Sequence, residues 1–157
     1  MLGEVKQIFC CESNEGIGRI GKLEERMELK TPALSAKKKL GIGTAKISGK
    51  ADLPVKRVAI CSGSGSDLMK HFLSPDAEVY ISGDFRYHDA RAVEALNKGL
   101  VDIRHLASEH LIVDNLTARL QKALFETRMD IQVEGCGIEK NPFVFLAGDT
   151  LFFFKNC

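Results

Sequence analysis

Hydrophobic and polar positions alternate in two rhythms along this chain. Val55 to Cys61 (VKRVAIC) runs apolar toward its end and predicts a buried strand. Ala77 to Ser82 (AEVYIS) and Leu100 to Ile103 have the same character, and Thr44 to Ser48 reads as a weaker, alternating strand. Between them lie stretches with helical spacing. Thr31, Pro32 and Gly41 bracket a first helix: a capping hydroxyl, proline in the first turn and glycine past the end. A short helix is expected from about Ser66 to Leu73, stopped by Pro75. Another runs from Tyr87 to Lys98, with Val93, Leu96 and Leu100 in phase and Gly99 as its C-terminal residue.

The longest helix is predicted from about Glu109 to Glu126, with Ile112, Leu116, Leu120 and Ala123 on one stripe. Asp130 to Val133 and Phe143 to Leu146 read as closing strands. Strands alternating with helices imply a single α/β domain, its sheet mainly parallel or mixed and flanked by helices. Residues 1–15 form a strand or lead-in, 16–146 the domain, and 147–157 a tail whose place in the fold the pattern does not indicate.

Composition narrows the function class. The 157 residues carry 22 Lys plus Arg against 21 Asp plus Glu, a net charge of +1, which argues against a nucleic-acid or membrane-surface protein. No apolar run approaches the roughly 18 residues of a membrane span. The start MLGEVKQIFCC has charges at Glu4 and Lys6 and reads as no signal peptide. Five cysteines (Cys10, Cys11, Cys61, Cys136, Cys157) contain no C-x-x-C pair, a usage that suits reduced thiols in a cytoplasmic protein. Cys10 and Cys11 read as small buried hydrophobes, with a redox pair as the alternative. One asymmetry remains. Lys30 to Arg57 holds eight basic residues and only Asp52 as an acid, either a solvated face or an anion-binding rim. It lacks the interleaved aromatics of single-strand nucleic-acid binders.

Three segments follow predicted strands, where open α/β sheets place their ligands. The first is Ser62 to Ser66 (SGSGS), whose Gly63, Ser64, Gly65 and Ser66 form either a tight turn or an anion-binding elbow at a helix start. It lacks the Gly-Lys-Ser/Thr of a Walker A loop, and Leu68 stands where a dinucleotide fingerprint has its third glycine. The second is Ser82 to Ala90 (SGDFRYHDA), which offers Asp84 and His88 as catalytic or site-lining groups; a helix cap by Asp84 beside an exposed His88 is the alternative. The third is Arg104 to His110 (RHLASEH). Four-residue spacing puts His105 and Glu109 on one helix face, a mixed nitrogen and oxygen donor set suited to Zn, Mn or Fe ions.

Taken in order, these segments resemble the C-terminal half of the NIF-three-like family, also called GTP cyclohydrolase I type two homologues. The resembling stretch runs from about Gly16 to Phe125. It opens with GIGRIGKL, continues through VKRVAICSGSGSDL and AEVYISGDFRYHDA, and closes with VDIRHLASEH; NPFVFL is similar to the family's closing strand. The resemblance implies a divalent-metal-binding, hydrolase-like module in which His105 and Glu109 are metal ligands and Asp84 and His88 line the site. It also implies a ring-like homo-oligomer.

The departures shape the expectation. Ser82 replaces the usual Thr, Leu106 the usual aromatic, and Arg104 the usual Gly, and a cation at 104 opposes metal binding unless it points away or pairs with an acid. The family's remaining ligands, a His-His pair and an acid, come from an N-terminal half with no counterpart here. Two donors fall short of the three that proteins usually give a catalytic zinc. The dinuclear site is therefore expected to be incomplete, and completed by a partner chain or missing half. An anionic small molecule is the expected ligand. A non-catalytic assembly domain that has lost the chemistry is the alternative reading.

Overall fold

The computed structural model describes residues 2–7, 16–73, 77–143, 145–147 and 150–152. Strands β1 (Leu2–Gln7) and β2 (Arg19–Glu28) lead into helix α1 (Lys30–Lys39), then β3 (Lys46–Ser48) and β4 (Pro54–Ser64). A 3₁₀ turn (Ser66–Leu68) runs into α2 (Met69–Phe72), followed by β5 (Val79–Gly83), α3 (Tyr87–Ala95) and β6 (Gly99–Asp102). Helices α4 (His105–Glu109) and α5 (Leu111–Glu126) come next, then the short strands β7 (Phe145–Ala147) and β8 (Thr150–Phe152). The main sheet has six strands in the order β1-β2-β4-β5-β6-β3, while β7 and β8 pair separately. The β4-β5 and β5-β6 pairs are parallel, and the other three are antiparallel. The fold is α/β with a mixed sheet.

Period-two alternation builds a core on each face of that sheet. Val58, Val79, Ile81 and Val101 point to one side, where they meet Leu29, Ala33 of α1 and Ala107 of α4. Ala59, Cys61, Tyr80 and Leu100 point to the other, against Leu68, Met69, Phe72 and Val93. All five residues of β5 are buried, as a strand covered on both faces must be. Tyr80, fully buried, packs between the rings of Phe72 and Phe85, each 5.1 Å away.

Several elements differ from the sequence expectation. β2 was not foreseen as a strand, and it supplies much of the antiparallel character. The helix at Tyr87 ends at Ala95 with Leu96 as its cap, and Asn97 takes the left-handed position (φ 51) expected of Gly99. Gly99 instead starts β6, where a Cβ would come within 2.7 Å of the Leu29 side chain. The long predicted helix is split at His110, which caps α4 and precedes α5. Residues 130–133 form no strand, because the Gln121 side chain bonds both the Ile131 carbonyl (3.2 Å) and the Val133 amide (2.9 Å) in place of a ladder. The expected closing strand at Phe143 to Leu146 appears in part as β7, outside the main sheet. Pro75, Cys10, Cys11 and Cys157 lie outside the described residues. No helix among the described residues is long and apolar enough to cross a membrane.

Candidate functional site

The three parallel strands end together, and each end contributes to one site. Gly63 sits near the end of β4, Asp84 directly follows β5, and His105 opens α4 just beyond β6. The Ser82↔Asp102 pairing fixes β5 against β6, and the Ile103 amide bonds the Ser82 carbonyl (2.8 Å), so the two loops leave the sheet side by side.

His105 is the hub. Its Nε2 lies 3.0 Å from Glu109 Oε2, the one-turn neighbour foreseen from spacing, and its Nδ1 lies 2.8 Å from Asp84 Oδ2. The Asp84 bond, reinforced by the Glu109 charge against a partial loss of hydration, raises the imidazole pKa above its ordinary value. His105, Glu109 and Asp84 all remain about half exposed, so the group faces solvent rather than apolar packing.

Gly63 makes the seat for this group. Its φ of 68 is the left-handed conformation, and a Cβ there would collide with the Glu109 carboxylate and stand 3.5 Å from His105 Nε2. The β4-β5 register shifts between Ile60 and Ser64, a bulge of the kind that re-aims backbone beside active sites. Ser108 locks the arrangement: its Oγ accepts from the Gly63 amide (2.8 Å) and donates to the His105 carbonyl (2.8 Å). On the other side, buried Ser82 donates to the Gly63 carbonyl (3.2 Å).

At its two glycines, these bonds suit the tight-turn reading of the SGSGS segment. The Gly63 amide is held by Ser108 and the Gly65 amide by the Gly83 carbonyl (3.0 Å), so neither is presented to an anion. Ser66 is buried, and its hydroxyl donates to Asp89 Oδ2 (2.6 Å). Ser64 ends β4 rather than opening a helix. The elbow carries the Glu109 carboxylate over Gly63. His88 is exposed, as one of the two readings of its segment had it, although the residue capping α3 is Arg86 and not Asp84. His88 sits in the first turn of α3 with its ring against Tyr87 (5.7 Å) and is not among the residues lining the cleft beside His105.

That cleft, about 830 Å³, is bordered by His105, Glu109, Asp84, Arg104, Thr44 and Phe143 among others. The Arg104 guanidinium reaches across to the Thr44 hydroxyl. Spacing in sequence gave no sign of Ser108 or Thr44 and no role to Ser82; each acts through contacts between distant segments.

The donor set decides how a metal ion fits. Two donors about 3 Å apart suit neighbouring ligands on one ion at the ~2.0–2.2 Å bonds of imidazole and carboxylate zinc ligands. Asp84 lies on the opposite edge of the ring, so it orients His105 instead of adding a third donor to the same point. Accordingly, no group of three or more His, Cys, Asp or Glu side chains among the described residues converges to hold an ion. The fit is to part of a metal site.

Comparison with known proteins bears on the same elements. The family model described as Duf34/NIF3 (NGG1p interacting factor 3) matches residues 2–142. The chain belongs to the Duf34/NIF3 family. It is 35% identical over 132 residues to the GTP cyclohydrolase 1 type 2 homolog of Staphylococcus epidermidis, covering 84% of this chain and 36% of that protein. Against the Bacillus subtilis protein of the same description, identity is 32% over 134 residues, again covering 36% of the relative. Among solved Duf34/NIF3-like structures, a Bacillus cereus protein related to NIF3 aligns with a TM-score of 0.77 at 28% identity, over 83% of this chain and 36% of that one. A Staphylococcus aureus protein aligns with the same score and identity, over 85% and 43%. The chain thus spans about 36% of the length of the curated relatives it matches.

Proposed function

We propose that this Duf34/NIF3 chain is a divalent-metal-binding, hydrolase-like half-site, completed by donors from a partner chain or an N-terminal half. The observation that carries the reading is His105 held between two carboxylates, with Nε2 and Glu109 meeting at the ends of parallel strands. His105 and Glu109 hold the ion. Asp84 accepts from the ring's Nδ1–H and fixes the tautomer and tilt, the usual carboxylate–histidine support of a metal ligand. Gly63 leaves the space that Glu109 fills. Bound there, a Zn, Mn or Fe ion supplies a water of lowered pKa for hydrolysis. His88, away from the cleft, has no part in this reading. The free thiols Cys61 and Cys136 accord with a cytoplasmic setting.

The test is Mn²⁺-induced broadening of backbone NMR signals in the intact chain. Signals of Gly63, Asp84 and residues 105–109 are expected to broaden, with affinity weaker than micromolar, and to stop responding in His105→Ala and in Glu109→Ala. Broadening that ignores both replacements overturns the assignment.

A second reading, a non-catalytic assembly domain, is favoured by α5. None of its residues is buried, and Leu111, Ile112, Leu116 and Leu120 are each about half exposed along it. An amphipathic helix with an uncovered apolar stripe is a candidate contact surface, here for a second copy of the chain in a homo-oligomer. Sedimentation velocity separates the readings: a monomer at every concentration removes the assembly role.

A further inference from the structure

Position 104 holds an arginine in a conformation that normally belongs to glycine. Its φ of 68 and ψ of 151 lie at the edge of a region occupied essentially by glycine alone. The backbone there is tightly determined. The Arg104 amide bonds Asp102 Oδ1 (3.0 Å), its carbonyl accepts from the Ser108 amide (3.3 Å), and its peptide link to His105 passes directly over Gly83. All of these contacts are made by main-chain atoms, and a glycine would make them as well. Strain kept under such conditions points to what the side chain does.

The guanidinium lies against the Thr44 hydroxyl and borders the same cleft as His105 and Glu109. A second cation in the cleft, Lys46, is paired with buried Asp102 (3.1 Å). Two carboxylates, Asp84 and Glu109, flank His105. Lys140 and its neighbour Glu139 also border the cleft. Arg104 and Lys140 are therefore its cations besides the paired Lys46; Asp84 and Glu109 form the acidic arm, and Leu106, Pro142 and Phe143 are apolar wall. A guanidinium is a planar fork of donors matched to two oxygens of one anion, and the Thr44 hydroxyl beside it can donate a further bond.

We infer that Arg104 is an oxyanion anchor, and that the cleft takes a small organic molecule whose phosphate or carboxylate sits on Arg104 and Thr44. Its body lies against Leu106, Pro142 and Phe143, and its far end reaches the His105–Glu109 pair. The orientation follows from charge, since the anionic group avoids Asp84 and Glu109. Only the identity of that far end as the reacting one rests on the metal half-site reading.

The experiment is calorimetric titration of the full chain, in EDTA, with phenyl phosphate, benzoate and, as a neutral control, benzyl alcohol. Phenyl phosphate or benzoate is expected to bind more tightly than benzyl alcohol, the stronger of the two identifying the oxyanion. Arg104→Gly, compatible with the backbone, is expected to lower that affinity at least tenfold with an unchanged or higher melting temperature. Arg104→Lys, which keeps the charge and loses the fork, is expected to fall between. Equal affinity in wild type and Arg104→Gly, or no binding of either anion by wild type, overturns the inference. Mn²⁺ broadening measured on the same proteins in EDTA-free buffer keeps the two readings apart. Arg104-dependent anion binding without Mn²⁺ broadening leaves the anchor standing and removes the metal half-site, and the converse removes the anchor alone.

Discussion

The Glu109 carboxylate rests on the bare backbone of Gly63, where a side chain of any size would displace it. A glycine 46 positions earlier in the chain thus determines where a candidate metal ligand can stand.

Gly63→Ala tests that relationship, and Gly41→Ala is its control. Both glycines have nearly the same left-handed φ (68 and 66), but a Cβ at 41 meets nothing within 4 Å. Each alanine is expected to lose about 1–3 kcal/mol of stability to backbone strain. Only Gly63→Ala also pushes Glu109 off its seat, and so only it is expected to weaken Mn²⁺ binding. Chemical denaturation and Mn²⁺ titration of both variants check this; equal Mn²⁺ responses would refute the seat.

Asp84 is expected to act through His105. Removing its carboxylate in Asp84→Ala frees the ring to rotate, and losses of such supporting partners typically cost 10–100-fold in metal affinity. Asp84→Asn retains an acceptor for Nδ1–H and loses the charge, so it is expected to lie between. If Asp84→Ala binds Mn²⁺ as wild type does, the orienting role is wrong.

What could be read from the sequence was what local periodicity encodes. The buried strands β4, β5 and β6 announced themselves because both faces are covered and their apolar residues run together. β2 did not, because RIGKLEERME is mostly charged and only Gly21 within it is buried; its strand state comes from pairing with β1 and β4. In the site, the His105–Glu109 pair was legible from helical spacing. Asp84 joins His105 from 21 residues away through the β5-β6 register, and Ser108 reaches Gly63 from 45. The glycines of SGSGS suggest a phosphate loop until those partners are known to occupy the amides. A residue type reveals conformational freedom, whereas its use depends on what the fold brings opposite.

The exposed stripe of α5 separates monomer stability from assembly. Leu116 and Leu120 are 48% and 45% exposed, so Leu116→Glu with Leu120→Glu removes little packing. Each change is expected to move stability by no more than about 0.5 kcal/mol. If the stripe joins copies of the chain, the double variant sediments as a smaller species than wild type at equal concentration. An unchanged sedimentation coefficient would exclude α5 as the contact.

Asp89 gives the fold an acid-sensitive joint beside the site. It is 7% exposed, and that burial alone would raise its pKa; hydrogen bonds from Ser66 (2.6 Å) and the Arg86 amide (2.9 Å), with the Arg86 side chain at 3.4 Å, outweigh it and hold the pKa below the usual aspartate value. The folded state thus prefers the ionised carboxylate more than the unfolded chain does. Its stabilising contribution is complete above the unfolded aspartate pKa of about 3.9 and is lost as pH falls through the lower, folded value. Asp89→Asn removes that contribution at every pH, so wild type is expected to exceed it by about 1–3 kcal/mol at pH 7, the worth of hydrogen bonds to a charged group. The difference should shrink as both are titrated into acid. Because Ser66 also lies 3.1 Å from the Asp84 carbonyl, the variant is expected to loosen the Asp84 loop and weaken Mn²⁺ binding at neutral pH as well. Urea denaturation of both proteins across this pH range measures the first effect, and a stability gap that widens toward acid would show the sign to be wrong.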